Sequence, residues 1–260
     1  MKKLQLSVIS LIVISILFLG CEKSLFFIEG QGDIVTKTLT LSDFDAIQNN
    51  NSINVVINQG ETQEVRVEGH QNIIDRLKLD VSDKTWKIDL LRGNYRNIEL
   101  TVYITIPTLT SVNLNGSGNV EIGSFQDLTS LQLEINGSGN IENTDNITSQ
   151  NISIDIAGSG SCKLNAISTK LETSISGSGD ISLSGTITNQ IVEIIGSGKY
   201  LAFNCLSDNV EVSISGSGDV EVFANSLLDV AIAGSGNVYY KGTPNVKVDI
   251  SGSGTIIGKN

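Results

Sequence analysis

The chain has 260 residues, and its 28 acidic side chains outnumber its 17 basic ones, which gives a formal net charge of −11 at pH 7. An acidic surface repels phosphate groups, so the composition argues against nucleic acid as a partner and against adsorption to anionic lipid headgroups. The single histidine, His70, is set apart from cysteines and acidic clusters, so the sequence predicts no metal centre, and it predicts no cofactor.

The N-terminus has the features of a bacterial lipoprotein signal. Two lysines precede an apolar run over residues 8–19, which is too short for a membrane span. Cys21 follows a Phe-Leu-Gly tripeptide and resembles the lipobox cysteine, which becomes the lipid-modified first residue of the mature chain. We therefore predict a signal peptide over residues 1–20, lipid attachment at Cys21 and a short tether over residues 21–29. An ordinary secretory signal with an incidental cysteine is the alternative.

Cleavage of this signal would remove two lysines and no acid. The mature chain would keep 15 basic and 28 acidic residues, a net charge of −13. Contact with a membrane is therefore expected through the acyl chains of the anchor alone. The expected location is the cell envelope, with the anchor in the outer membrane. The sequence does not decide between the periplasmic face and the outer face of that membrane.

Short alternating apolar runs separated by turn residues predict a strand-rich N-terminal part over residues 30–110. One helical turn is expected at residues 72–76, and His70 falls in a turn, where we predict an exposed side chain. The predicted strands are residues 34–41, 53–57, 64–68, 77–81, 86–91 and 98–106.

A basic and aromatic group lies between the last two of these strands. Arg92, Tyr95 and Arg96 fall on a predicted hairpin tip of an otherwise acidic chain. Arginine and tyrosine are enriched at binding hot spots, and loops carry function more often than cores do. These three residues are therefore candidate binding residues, with an ordinary solvated turn as the alternative.

The tripeptide Gly-Ser-Gly occurs eight times between residues 116 and 254, at intervals of 18 to 21 residues. Apolar residues alternate with polar ones on both sides of it, and both glycines share the parity of the apolar residues. A period near twenty predicts stacked circuits of a parallel β-helix, with a corner at each tripeptide, both glycines inward and the serine outward. The first glycines are Gly116, Gly137, Gly158, Gly177, Gly196, Gly216, Gly234 and Gly252.

The residue after each tripeptide should point outward and stack on its equivalents. Asp180, Lys199 and Asp219 are then neighbours about 4.8 Å apart, with about 9.6 Å between the two carboxylates. This spacing is compatible with an inverting glycosidase, whereas a lysine that separates two acids also removes charge repulsion without any function. We take these three residues as further candidate binding residues.

The serines of the tripeptides should form a flat outward row beside small residues. Such a row can match a periodic ligand, a glycan or an ice lattice, or it can simply fit beside a glycine corner. Gly-Ser-Gly-Asp, at Gly177 and Gly216, resembles calcium-binding nonapeptide repeats, but the period near twenty differs from theirs. Calcium binding is therefore not favoured.

Two further features concern the inside and the end of the stack. Cys162 and Cys205 fall on different parts of the circuit and are predicted to be buried free thiols. Only six residues follow the last tripeptide, too few for a capping element. An uncapped solenoid exposes strand edges and core side chains, so this end is expected to pair with another copy, as a homo-oligomer, or with a partner.

Several segments together resemble a known family. The chain is similar to the family called putative auto-transporter adhesin, head GIN domain, over about residues 30–258, although Ser52 stands where that family often has glycine. The resemblance implies a right-handed parallel β-helix on envelope proteins, frequently lipoproteins, of Bacteroidetes-like bacteria, and it implies no catalytic residues. The segments that carry it are Gly32-Asp33-Ile34-Val35, Phe44-Asp45-Ala46-Ile47, Ile53-Asn54-Val55-Val56-Ile57, Ile106-Pro107-Thr108-Leu109 and Asn115-Gly116-Ser117-Gly118-Asn119.

The patterns predict an all-β protein with a single domain over residues 30–258, a β-helix whose repeats occupy residues 111–258. With the resemblance, they predict a non-enzymatic envelope lipoprotein, adhesin-like, that presents a polar face to glycans or proteins. A self-assembling envelope scaffold and a polysaccharide hydrolase or lyase are the alternatives.

Overall fold

The computed structural model describes residues 27–143 and 145–259, so the predicted signal peptide and the lipid site at Cys21 lie outside the described residues. Within them the chain is a β-solenoid of about eight turns with circuits of about 19 residues. The predicted all-β parallel β-helix is confirmed, and the described helical content is a single turn.

The N-terminal part holds the only described helix and seven strands. They are β1 (Ile34–Leu39), β2 (Ala46–Asn49), β3 (Asn54–Gln59), β4 (Glu64–His70), α1 (Gln71–Ile74), β5 (Val81–Ser82), β6 (Thr85–Ile88) and β7 (Leu100–Ile106). The repeats hold β8 (Ser111–Leu114), β9 (Asn119–Ile122), β10 (Phe125–Gly137), β11 (Asn140–Asn143), β12 (Ile147–Gly158), β13 (Ser161–Gly177), β14 (Asp180–Gly196), β15 (Lys199–Leu206), β16 (Asn209–Gly216), β17 (Asp219–Phe223), β18 (Leu227–Gly234), β19 (Asn237–Lys241), β20 (Asn245–Gly252) and β21 (Thr255–Gly258).

The predicted N-terminal strands differ from the observed ones at two places. Strand β2 lies in a segment for which no strand was predicted. The predicted strand over residues 77–81 is mostly absent, because Leu77 makes only an isolated antiparallel bridge to Leu90. Asp83 and Lys84, with φ of 51° and 56°, form the tight turn that pairs β5 with β6. In this segment Leu77 is instead buried against the core.

Two sheets run along the solenoid, and neighbouring circuits pair in parallel. We call the first sheet the stack β6, β2, β8, β10, β12, β13, β14, β16, β18 and β20. The second sheet is the stack β7, β3, β9, β11, β13, β14, β15, β17, β19 and β21. Strands β13 and β14 have 17 residues each, and this length lets them contribute to both sheets. Strands β4 and β1 extend the second sheet beyond β7 in antiparallel pairing.

Each Gly-Ser-Gly is the corner where the chain passes from the first sheet to the second. The serine N–H donates to the carbonyl of the first glycine in the preceding circuit, at 2.8 to 3.2 Å. The serines are exposed and the second glycines of the inner copies are buried, as predicted. The first glycine differs from the prediction, because it is half-buried in most copies and faces the neighbouring circuit rather than the core. From Gly137 onward its φ is 128° to 148°, and a Cβ would lie 2.2 to 2.6 Å from the stacked carbonyl oxygen.

Inward side chains fill the space between the sheets as one continuous apolar core. Its largest fully buried members are Trp86, Tyr200 and Phe125. At the N-terminal end, Ile73 and Ile74 of α1 are 0% and 3% exposed, so this segment closes the core. Burying apolar area of this extent is the main source of stability for a solenoid.

Candidate functional site

The residues that follow the tripeptides stack in register on the outer face of the second sheet. Each pairs with its equivalent in the next circuit, so the predicted neighbourhood of Asp180, Lys199 and Asp219 is confirmed. Asn54 of β3 extends the same row. We call this row the outer column: Asn54, Asn119, Asn140, Ser161, Asp180, Lys199, Asp219, Asn237 and Thr255.

Side-chain hydrogen bonds run along the N-terminal half of the outer column. Asn119 Nδ2 donates to Asn54 Oδ1 at 3.3 Å, and Asn140 Nδ2 donates to Asn119 Oδ1 at 2.9 Å. The Ser161 hydroxyl then donates to Asn140 Oδ1 at 2.7 Å. Each amide thus bonds to the circuit before it, which fixes the side-chain rotamers and gives the column a regular pattern of donors and acceptors.

The side-chain hydrogen bonds of the outer column are interrupted in its middle, around Lys199. Across the described residues, no ion pair within 4.0 Å joins Lys199 to Asp180 or to Asp219. Lys199 is exposed, so the ammonium group is free to meet a ligand. Beyond it the hydrogen bonds resume, with Asn237 Nδ2 donating to Asp219 Oδ1 at 3.0 Å and the Thr255 hydroxyl donating to Asn237 Oδ1 at 2.6 Å.

A groove of about 760 Å³ runs along the first half of the outer column. Its other wall is a second outward row, in which Glu142 lies in register between Glu121 and Lys163. We call this the amide groove. Its polar lining residues are Asn54, Thr101, Asn119, Glu121, Asn140, Glu142, Ser161, Lys163, Asp180 and Ser182.

Sequence reasoning identified only one wall of the amide groove. The second row stands two residues after the outer column, the same outward parity on the same strand, and this spacing was the signal that could have revealed Glu121, Glu142 and Lys163. Of the two predicted carboxylates, Asp180 lines the groove and Asp219 is not among its lining residues. The two acids therefore lie two circuits apart in one row without sharing a cleft.

A similar ladder stands on the other side of the corner, outside the amide groove. Asn115 Nδ2 donates to Asn50 Oδ1 at 3.0 Å, and Asn136 Nδ2 donates to Asn115 Oδ1 at 3.0 Å. Asn136 also donates to a carboxylate oxygen of Glu134 at 2.7 Å. The same chemistry thus occurs on a surface whose ladder residues do not line the amide groove, and this surface provides a matched control for the groove.

A protein-family model decides the classification of this chain. The model described as putative auto-transporter adhesin, head GIN domain, matches residues 43–244. The chain belongs to this family. The resemblance inferred from the sequence segments is confirmed, and the family assignment supports an adhesin-like, envelope-associated protein.

Solved structures share the fold of this head GIN domain. One, titled a putative lipid binding protein from Parabacteroides distasonis, is 27% identical with a TM-score of 0.82, covering 90% of this chain and 100% of its own. A putative adhesin from the same species is 22% identical with a TM-score of 0.83 at the same coverage. A putative adhesin from Parabacteroides merdae is 23% identical with a TM-score of 0.82, covering 90% and 99%. No curated protein matches the chain.

The basic and aromatic group of the head GIN domain does not lie on a hairpin. Strands β6 and β7 belong to different sheets, so the segment between them is a connection, and the predicted hairpin tip is wrong. Arg92 and Arg96 are exposed, but Tyr95 is half-buried and its hydroxyl donates to the Leu91 carbonyl. Ile28 bonds to this segment, its N–H donating to Asn94 O at 2.7 Å. The group therefore fastens the N-terminal residues to the solenoid.

His70 is not the exposed turn residue that the sequence predicted. It is the last residue of β4 and is half-buried. Its ring fills the space beside Gly30, where a Cβ would lie 1.8 Å from His70 Cδ2. The contact joins segments 40 residues apart in sequence, which explains why local turn signals mispredicted it.

The remaining candidates in the head GIN domain are internal. Cys162 and Cys205 are buried, and burial raises the pKa of the Cys162 thiol to about 12 and that of Cys205 to about 11, so both are unreactive. Across residues 27–143 and 145–259, no group of three potential acidic, histidine or cysteine ligands could hold a metal ion. None of the helices described there has the length and apolar character needed to cross a membrane.

Proposed function

We propose that this head GIN domain is a non-enzymatic, lipid-anchored adhesin of the cell envelope, and that it binds an uncharged glycan chain along the amide groove. The family assignment supports the adhesin-like role. The ligand class is inferred from the groove itself.

The hydrogen-bonded half of the outer column is the observation that carries the ligand class. It repeats amide and hydroxyl groups at about 4.8 Å, beside a row with two carboxylates and a lysine. Amides, hydroxyls and carboxylates exchange hydrogen bonds with the hydroxyl groups of a sugar chain. Because ladder bonds already orient the side chains, a ligand would pay little of their rotamer entropy on binding. The net charge of the chain disfavours an acidic ligand.

The proposed anchor is compatible with an exposed groove. Ile28 is fixed at the N-terminal end of the solenoid, seven residues after Cys21. A lipid at Cys21 would therefore hold this end near the membrane, while the circuits stack away from it. Mass spectrometry of the membrane fraction should find an acylated N-terminal cysteine, whereas the Cys21→Ala variant should carry no acyl group and keep its signal peptide uncleaved. A wild-type protein whose N-terminal cysteine carries no acyl group would contradict the anchor.

The binding proposal is tested on an array of uncharged glycans with residues 22–260. The Asn119→Ala/Asn140→Ala variant removes two amides from the groove, and its matched control, Asn115→Ala/Asn136→Ala, removes two amides from the neighbouring ladder. We expect selective binding by the wild type, a loss of about tenfold or more in the groove variant and little change in the control. Equal losses in both variants, or no binding by the wild type, would contradict the proposal.

Two further variants separate the other candidate roles. Arg92→Ala/Arg96→Ala tests the basic group while it keeps Tyr95, which packs against the core. Asp180→Asn/Asp219→Asn tests hydrolysis by the two predicted carboxylates. If the wild type releases shortened sugars from a bound polysaccharide and this second variant does not, the protein is a hydrolase and the adhesin proposal fails.

A further inference from the structure

The last circuit exposes side chains that every preceding circuit buries. On β18 the inward residues Leu228, Val230 and Ile232 are 0%, 0% and 2% exposed. On β20, one circuit later, their register partners include Val248 and Ile250, which are 53% and 36% exposed. The apolar cross-section of the core therefore lies open at this end of the described chain.

The backbone of β20 is open along the same edge. β20 pairs with β18 along its whole length of eight residues, and none of the described strands lies on its other side. An open edge of this length presents unpaired N–H and C=O groups to another strand. At the opposite end α1 covers the core, and the edge strand of the described residues there, β1, pairs with β4 on one side only.

The residues of β20 are complementary to a second copy of themselves. We propose that two copies pair through their β20 edges in antiparallel orientation, centred on Val248. In this register Lys247 lies opposite Asp249 of the second copy, and the same pair recurs by two-fold symmetry. Val246 lies opposite Ile250 of the second copy, so the exposed core side chains of the two copies pack against each other. Opposite charges and apolar pairs at facing positions both stabilise antiparallel strands.

The charges select this register from its neighbours. A shift that places inward residues opposite outward ones would turn the apolar row of one copy to solvent. Of the two nearest shifts that keep both cores facing, one is centred on Lys247 and the other on Asp249. Each places like charges directly opposite, which destabilises the pair. The existing contact of Lys247 with Asp229 is 3.9 Å long and exposed, so it does not compete strongly.

A symmetric cross-link tests the register directly. In residues 22–260, both remaining cysteines, Cys162 and Cys205, are buried, so an added cysteine is the one accessible thiol that can form a cross-link. Two Val248→Cys chains would face each other at a Cα distance of about 4.5 to 5.5 Å, within the range of a disulfide. Mild oxidation should therefore yield a covalent dimer. The matched Val246→Cys variant should not cross-link, since its two copies would stand more than about 10 Å apart. Equal cross-linking of both variants would overturn the register.

A charge exchange tests the pairing without a cross-link. We expect the wild type to dimerise in sedimentation equilibrium, and Lys247→Glu and Asp249→Lys each to raise the dissociation constant about tenfold. Combining both substitutions restores opposite charges at both facing positions, so the affinity should return to within about threefold of wild type. Lys259→Glu makes the same charge change in the same circuit outside β20 and should change little. A monomeric wild type at high concentration, or a double variant as weak as the single ones, would overturn the proposal.

Discussion

The N-terminal part and the repeats build the corner between the two sheets with different residues. In the repeats two glycines make the turn, and their backbones stack closely. The first corner, residues 50–53, contains no glycine. There the buried side chain of Asn49 donates through Nδ2 to the Ile53 carbonyl at 2.7 Å and accepts from the Asn51 N–H at 3.2 Å. A side-chain bridge thus does in this circuit what the two glycines do in the repeats.

The stacking neighbours explain the difference. On its outer side the first corner meets a side chain, since Asn51 Nδ2 donates to Asp89 Oδ1 at 2.6 Å. A corner in the repeats meets the backbone of another corner, which leaves no room for a Cβ. Gly116 is intermediate. It stacks on Asn51, its φ is outside the left-handed region, and a Cβ would lie 3.1 Å from the Asn51 carbonyl oxygen.

The largest expected effect therefore comes from adding one methyl group to a repeat corner. At Gly196 the φ is 128° and a Cβ would lie 2.4 Å from the Gly177 carbonyl oxygen. Gly196→Ala should lower the free energy of unfolding by about 4 kcal/mol, because it combines backbone strain with a backbone clash. Gly116→Ala is the same change at the corner where the repeats meet the N-terminal part, and it should lower the free energy of unfolding by only about 1 kcal/mol. Urea denaturation followed by circular dichroism measures both, and equal losses would contradict the distinction between the corners.

This comparison also shows which features the sequence could predict. The spacing of the tripeptides and the parity of the apolar residues were sufficient for the fold and for the register of Asp180, Lys199 and Asp219, because a solenoid converts sequence period directly into contact. The N-terminal part has no period. The positions of His70 and Tyr95 depend on contacts with Gly30 and with the segment at Ile28, distant in sequence, so local turn signals could not place them.

The second prediction replaces the asparagine that bridges the first corner with the apolar residue that the repeats have at the same position. Asn49 pairs in register with Leu114, which fills the same inward position one circuit later. Asn49→Leu should pack well but leave the Ile53 carbonyl and the Asn51 N–H without their partner, at a cost of about 2 kcal/mol. The loss should appear in the fluorescence of Trp86, the only tryptophan, which lies in the adjacent core. An unchanged unfolding midpoint would show that the asparagine bridge is not needed.

The repeats contain a buried polar group of their own, and it predicts a smaller effect. The Tyr200 hydroxyl donates to Gln190 Oε1 at 2.5 Å inside the core, and Gln190 Nε2 donates to the Ser207 hydroxyl. Tyr200→Phe leaves the Gln190 oxygen unpaired and should cost about 1.5 kcal/mol, whereas adding Gln190→Leu should recover part of this loss by removing both partners. A double variant no more stable than Tyr200→Phe alone would contradict this account of the network.

The smallest effect concerns the ion pair that supports the first corner. Burial opposes ionisation of Asp89, but hydrogen bonds from Lys78 at 2.6 Å, from Asn51 and from the Leu90 N–H outweigh it and hold its pKa below the ordinary 3.8. Asp89→Asn should cost less than about 1 kcal/mol at pH 7, because the site is partly exposed. A lowered pKa stabilises the folded state above the ordinary value and loses this contribution as the pH falls through the folded value. The difference in unfolding free energy between wild type and variant should therefore disappear as the pH falls below about 3.8. A difference of constant size down to pH 2 would show that the shape of Asp89 matters and its charge does not.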